Sequence, residues 1–148
     1  MKKLLLALFT SVCLAACNDT GGEPWDIKYV NQSGMDVYIK GWSWHRDTLI
    51  RYESDLRCIK NGKTYVFHTC TNCYGERENG YLYSDTVLIR FGSERELIYG
   101  YNDAGTPTKM ENYEFIPKSS FKSVDTYVFT FTPEMYDAAT PIDQPAEE

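Results

Sequence analysis

"VDTYVFTFT", residues 124–132, is the stretch on which the fold turns. Tyr127, Phe129 and Phe131 fall on alternate positions, and the residues around them are Thr, Val and Asp. Aromatic and β-branched residues repeating with period two describe a strand with one buried face. The residues that follow, Thr132-Pro133-Glu134, describe a helix start: a capping hydroxyl, proline at the first helical position and an acid in the first turn. That helix reaches to about Thr140, where Pro141 stops it.

Working back from this strand, the same short period recurs and no long helical period appears. Strands are predicted over Trp25–Asn31, Met35–Trp44, Thr48–Glu53, Lys63–Thr69, Thr86–Phe91, Leu97–Tyr101 and Tyr113–Ile116. Gly, Asn, Asp and Ser separate them, as in Asn31-Gln32-Ser33-Gly34 and Gly92-Ser93-Glu94, and Asn102–Lys109 reads as a Gly/Pro loop. Turn signals every eight to twelve residues predict an all-β fold: an antiparallel β-sandwich of about seven to nine strands with one short C-terminal helix. Twelve Tyr, seven Phe and three Trp suit strands.

The second predicted strand carries the best candidate for a binding site. Val37 and Ile39 share one face, and Tyr38, Lys40, Trp42 and Trp44 share the other. If the aliphatic face is core, flat aromatic rings with a lysine between them face outward. Such a row can stack on sugar faces or anchor a protein partner. The competing reading covers the same rings with a neighbouring strand, the tether or the second sheet.

The N-terminus gives an address. Met1-Lys2-Lys3 is a positive head and Leu4–Ala16 an apolar or small-residue run of about 20 Å at helical rise, short of the roughly 30 Å hydrocarbon core. Residues 1–16 therefore read as a secretory signal. Leu14-Ala15-Ala16-Cys17 resembles the bacterial lipobox, which implies cleavage before Cys17 and acylation of that residue. Several acyl chains give stable anchoring where one gives marginal binding. Residues 17–24 then form a polar, Gly/Pro-punctuated lipidated tether, 25–140 the sandwich domain and 141–148 an acidic disordered tail. Asn18 rather than Asp follows the cysteine, so the inner-membrane retention signal of enterobacterial lipoproteins is missing and the outer membrane is favoured.

Charge narrows the partners. The leader takes Lys2 and Lys3 out of the 15 basic residues, leaving 13 against 21 acidic ones, a net charge of −8 over 132 residues. Nucleic acid demands a basic face, which this balance disfavours. Attachment to a membrane depends on the N-terminal lipid. The sequence holds no Gly-rich phosphate loop, no His-Glu-x-x-His and no nucleophile elbow, and its acids form no recognisable pair. No enzyme activity and no cofactor are predicted.

Cys58, Cys70 and Cys73 remain in the domain. With His68 they could hold zinc tetrahedrally, but a second paired hook is missing and exported thiols oxidise. A thioredoxin-like pair needs a helix N-terminus, whereas Cys70-Thr71-Asn72-Cys73 runs into the turn-rich Tyr74–Gly80. A structural disulfide is the better reading. If Asn61-Gly62 closes a two-residue hairpin, Cys58 faces Tyr65 and Cys70 lies five residues on, about 17 Å away and out of bridging range. That favours Cys70–Cys73 with Cys58 buried and free, and Cys58–Cys73 stays open. No metal site is expected.

The leader together with "WDIKYVNQSGMDVYIKGW", "IKNGKTYVF" and "VDTYVFTFTPEMYD" resembles small surface lipoproteins of Gram-negative gut anaerobes. The resemblance implies O-glycosylation at Asp-Thr followed by an apolar residue, which places candidates at Thr48 and Thr86. Lipoprotein inhibitors of lysozyme carry Ser-Gly-x-x-Tyr, but here Tyr38 falls one place late after Ser33-Gly34. The expected function is that of a membrane-anchored, non-enzymatic accessory module binding a glycan or an envelope protein. The alternative is a structural or inhibitory envelope protein with no small-molecule ligand.

Overall fold

Alternation along the chain resolves into ten strands and one short helix in a computed structural model that describes residues 23–45, 50–54, 56–70, 81 and 84–142. The strands are β1 (Pro24–Asn31), β2 (Val37–His45), β3 (Ile50–Glu53), β4 (Arg57–Ile59), β5 (Thr64–Cys70), β6 (Thr86–Phe91), β7 (Arg95–Gly100), β8 (Glu114–Ile116), β9 (Asp125–Phe131) and the two-residue β10 (Thr140–Pro141). A four-stranded sheet has the order β5-β1-β9-β8, and a second sheet the order β10-β7-β6-β2-β3, with β4 also on β2. This is the expected β-sandwich. All pairs are antiparallel except β1 and β9, which run side by side in parallel from Trp25↔Asp125 to Asn31↔Phe131. Strand periodicity carries no information about direction, so this pairing was not predictable.

The two inner faces meet in one apolar core. The four-stranded sheet contributes Ile27, Tyr29, Phe67, Phe129 and Phe131, and the other sheet Val37, Ile39, Ile59, Val87, Ile89 and Phe91. Tyr81 and Tyr113 enter from connections. Tyr29 is fully buried, with its ring centroid 5.3–6.3 Å from those of Phe67, Tyr81, Tyr113, Phe129 and Phe131. Its hydroxyl lies 3.0 Å from that of Tyr113 and accepts the Tyr81 backbone N–H at 2.9 Å. Tyr113 donates in turn to the Pro107 carbonyl. The Tyr81 hydroxyl donates to the Ile39 carbonyl at 3.1 Å, which joins the two sheets. Room for this ring comes from Gly41, where a Cβ would lie 2.8 Å from Ser84 Oγ and 3.0 Å from Tyr81 Cδ1.

Burial pushes the Tyr29 phenol up from 10.0 to about 12, against the opposing effect of its hydrogen bonds. Between pH 10 and 12 the unfolded chain loses this proton and the folded chain keeps it, so stability falls as pH rises. The loss reaches about 2 kcal/mol at pH 12. Urea titrations at pH 8 and pH 11 are expected to show a lower midpoint at pH 11. The difference should shrink in Tyr29→Phe.

Two polar features pin the chain where it changes sheets. Asn31 is fully buried at the end of β1. Its amide nitrogen donates to the carbonyls of Met35 at 2.8 Å and Ile59 at 2.7 Å, and its oxygen accepts from Ser33 N and Ser33 Oγ. The Asn61-Gly62 turn forms as read, with Gly62 at φ +70° and Lys63 N bonded to Lys60 O. It does not close an in-sheet hairpin. β4 pairs with β2 and β5 pairs with β1, so the turn carries the chain from one sheet to the other. Cys58 consequently faces Tyr38 rather than Tyr65.

The helix α1 (Pro133–Ala138) begins after Thr132, whose side chain makes no capping hydrogen bond. The Thr132 carbonyl instead accepts from Met135 and Tyr136. At the other end Arg95 donates to the carbonyls of Asp137 and Ala139. Cations complement the negative end of a helix. The chain beyond returns to the sheet: Thr140 and Pro141 pair with β7, and Ile142 N donates to Glu94 O. Of the predicted disordered tail 141–148, Pro141 and Ile142 are therefore ordered against β7, and 143–148, like 1–22, the leader and most of the tether, lie outside the described residues.

Candidate functional site

The parity of β2 sorts its side chains. Val37, Ile39 and Gly41 are buried on the inner face, so Tyr38, Lys40 and Trp42 project from the outer face of the six-stranded sheet, each half-buried. Trp44 continues this parity, opposite Arg51 of β3, but its side chain lies outside the described residues. The structure therefore brings three of the four predicted residues together on the outer face of this sheet.

Register supplies their neighbours, because directly paired residues share a face. Lys40 lies opposite Leu88, which lies opposite Ile98. Trp42 lies opposite Thr86, which lies opposite Gly100. Tyr38 lies between Arg90 on β6 and Cys58 on β4. The result is a flat platform whose apolar members are Tyr38, Trp42, Leu88 and Ile98, the last 63% exposed. The Lys40 ammonium sits 5.9 Å from the Trp42 ring centroid, within cation–π range. Leu88 and Ile98 escaped the sequence reading, since their outward direction follows from the strand pairing and not from their apolar character.

At one end the platform opens into a cleft of about 650 Å³ bordered by Met35, Tyr38, Leu56, Arg90 and Ile142. Arg90 Nε donates to Glu96 at 3.0 Å. Asp36 accepts from Lys60 Nζ at 2.7 Å and from the Asn61 N–H at 3.0 Å, and these bonds hold its carboxyl below the usual range. The same partnership raises the Lys60 ammonium. The Tyr38 phenol is raised chiefly by its hydrogen bond with the Cys58 side chain.

The cysteines divide. Cys58, expected to be buried, is exposed and free, because β4 joins β2 and its parity turns this side chain outward with Tyr38. His68 stands on the outer face of the four-stranded sheet, bonded to Asp26 at 2.7 Å. Cys58 and His68 thus lie on opposite outer faces, which excludes a metal site containing both. No cluster of three His, Cys, Asp or Glu side chains able to hold a metal occurs among the described residues. The backbone of Cys70 ends β5; its side chain and all of Cys73 lie outside the described residues, as does Thr48. Thr86 starts β6 on the platform face beside Trp42. No described helix is long and apolar enough to cross a membrane.

Set against known proteins, the chain matches no family model, and no curated protein is significantly similar to it in sequence.

Proposed function

We propose that this protein is a non-enzymatic binding module, anchored to an envelope membrane through Cys17, whose outer sheet face presents Tyr38, Lys40 and Trp42 to a glycan or protein partner. The observation carrying this reading is the burial of Val37, Ile39 and Gly41, which turns the aromatic row to the outer face. The rings of Tyr38 and Trp42 stand four residues apart on β2, about 13 Å, with Lys40 between them, and flat rings accept the apolar faces of pyranose rings. Lys40 and Arg90 add donors for hydroxyl, carboxylate or backbone oxygen.

Trp42→Ala leaves the inner face untouched, so its effect on folding stability should stay below about 1 kcal/mol. Its effect on binding should be at least tenfold in Kd if Trp42 is an anchor, because aromatic anchors at the centre of an interface carry about 2 kcal/mol or more. Glycan-array and envelope-extract binding by the wild type and Trp42→Ala measures this. A platform that binds neither glycans nor envelope proteins would favour a purely structural or inhibitory role.

A further inference from the structure

Phe121 is 97% exposed, the most exposed of the large apolar side chains in the described structure. It occupies the tip of a tight turn rather than a loose loop. Ser119 and Lys122 exchange both backbone hydrogen bonds at 3.0 Å, and Phe121 N donates to Ser119 Oγ. A single exposed ring is ordinary on a protein surface, so what Phe121 meets depends on what this turn faces.

The topology says what the tip faces. β1 and β9 run in parallel and start at the same end of the four-stranded sheet, and the Ser119–Lys122 turn leads into β9 at that end. The N-terminus emerges there too: Lys118 Nζ pairs with Glu23 Oε1 at 3.3 Å, and Lys118 N donates to Asp125 Oδ1 at 2.7 Å. Only five residues separate Cys17 from Glu23, six Cα steps and a reach of at most about 22 Å. A lipid on Cys17 therefore holds this end of the sandwich close to the bilayer.

We propose that the 118–122 turn is a second, non-covalent membrane contact in which Phe121 seats its ring at the headgroup–acyl boundary while Lys118 and Lys122 reach lipid phosphates. The proposal rests on the anchoring reading of Cys17. Glu23 pairs with the Lys118 ammonium, and the Asp125 carboxylate accepts the Lys118 backbone N–H close by, so the ring rather than net charge makes the contact. One ring binds a bilayer weakly by itself, but the tether makes its insertion intramolecular, with an effective concentration in the millimolar range. The consequence is a fixed orientation of the domain, its tether end down.

The test separates the contact from the lipidation. Residues 18–148, which carry every strand and every core residue described, are given an N-terminal hexahistidine tag. The tag holds the chain on vesicles of phosphatidylethanolamine and phosphatidylglycerol containing a nickel-chelating lipid. This holds the tether end at the bilayer whatever happens at Cys17 in the cell. Hydroxyl-radical footprinting then reads side-chain access. Phe121 oxidation is expected to fall by roughly threefold or more on vesicles, as for a ring sunk about 5–10 Å into the interface. Ile98, exposed on the platform, should keep its solution rate. Equal oxidation of Phe121 on vesicles and in solution, or equal protection of Phe121 and Ile98, overturns the proposal. Loss of Cys17 acylation in cells with Phe121 still protected in this assay would overturn the anchor alone.

Discussion

Tyr29→Ala is expected to cost the domain about 5 kcal/mol, near the lower limit of the stability of a whole small domain, so most of the chain should be unfolded at 37 °C. Removing an aromatic ring from a well-packed core costs about 3–5 kcal/mol through lost transfer energy and the cavity left behind. Here the cavity would open among five other rings, three of them edge-on to Tyr29, one tilted and one stacked on it. The hydroxyl adds a second loss. Without it the Tyr81 N–H loses the hydroxyl it meets at 2.9 Å, and the Tyr113 hydroxyl loses its neighbour at 3.0 Å. Tyr29→Phe isolates this part, keeping the ring and costing about 1–3 kcal/mol for the lost buried hydrogen bonds. Chemical denaturation of both variants measures the split. A Tyr29→Ala protein within 2 kcal/mol of wild type, by the core-truncation scale, would show that the ring cluster repacks.

Asn31→Ala is expected to lower stability by about 4 kcal/mol, or the melting temperature by roughly 12–20 °C, although it deletes only a few atoms. The side chain has no packing role that alanine could inherit. Its four hydrogen bonds tie the end of β1 to the start of β2 and the end of β4, and all are buried or partly so. Alanine removes the amide donor from the Ile59 and Met35 carbonyls, the latter still accepting from Ser33 Oγ at 3.1 Å, and removes the acceptor of the Ser33 N–H. Each buried group left without its partner costs about 1–3 kcal/mol, partly recovered where water can enter. Asn31→Asp is nearly the same shape but directs a carboxylate oxygen at the carbonyls of Met35 and Ile59. It should lose at least as much at neutral pH and recover part of the loss in acid, when a protonated carboxyl can again donate. Thermal melts at pH 7 and pH 4 distinguish the two variants.

These two residues also show what a reader of the sequence can and cannot see. The period of two along "YVFTF" is a local property, and it identified β9, its inward Phe129 and Phe131, and the helix after it. The same rule separated Val37 and Ile39 from Tyr38, Lys40 and Trp42, so the platform was legible from one strand. Partner choice is not local. Asn61-Gly62 announced a reversal, and the chain does reverse, but which sheet receives each arm depends on the buried amide of Asn31 thirty residues earlier. Asn31 itself looked like an ordinary turn residue, because its composition is that of a turn and its burial is not. Thr106 and Thr108 misled in the same way: they sit in a Gly/Pro stretch, yet they are fully buried, bonded to one another and to Asn112 through hydroxyl and carbonyl oxygens. Cys58 was placed inside because free cysteine packs as a small hydrophobe, and the pairing of β4 with β2 put it outside.

The parallel pairing of β1 with β9 has a consequence for how the chain is made. Trp25 and Asp125 are neighbours across one hundred residues of sequence, so the four-stranded sheet cannot close until nearly all of the domain has left the ribosome. Loop closure over that distance must come before any contact rewards it, which places folding in the slow, millisecond-to-second range of high-contact-order domains. Until then one edge of the first strand, with Ile27 and Tyr29 beside it, stays unpaired and offers a template for other chains. A nascent or C-terminally truncated chain ending before residue 125 should therefore be held open or aggregate, whereas the completed chain seals both the edge and the core in one late step.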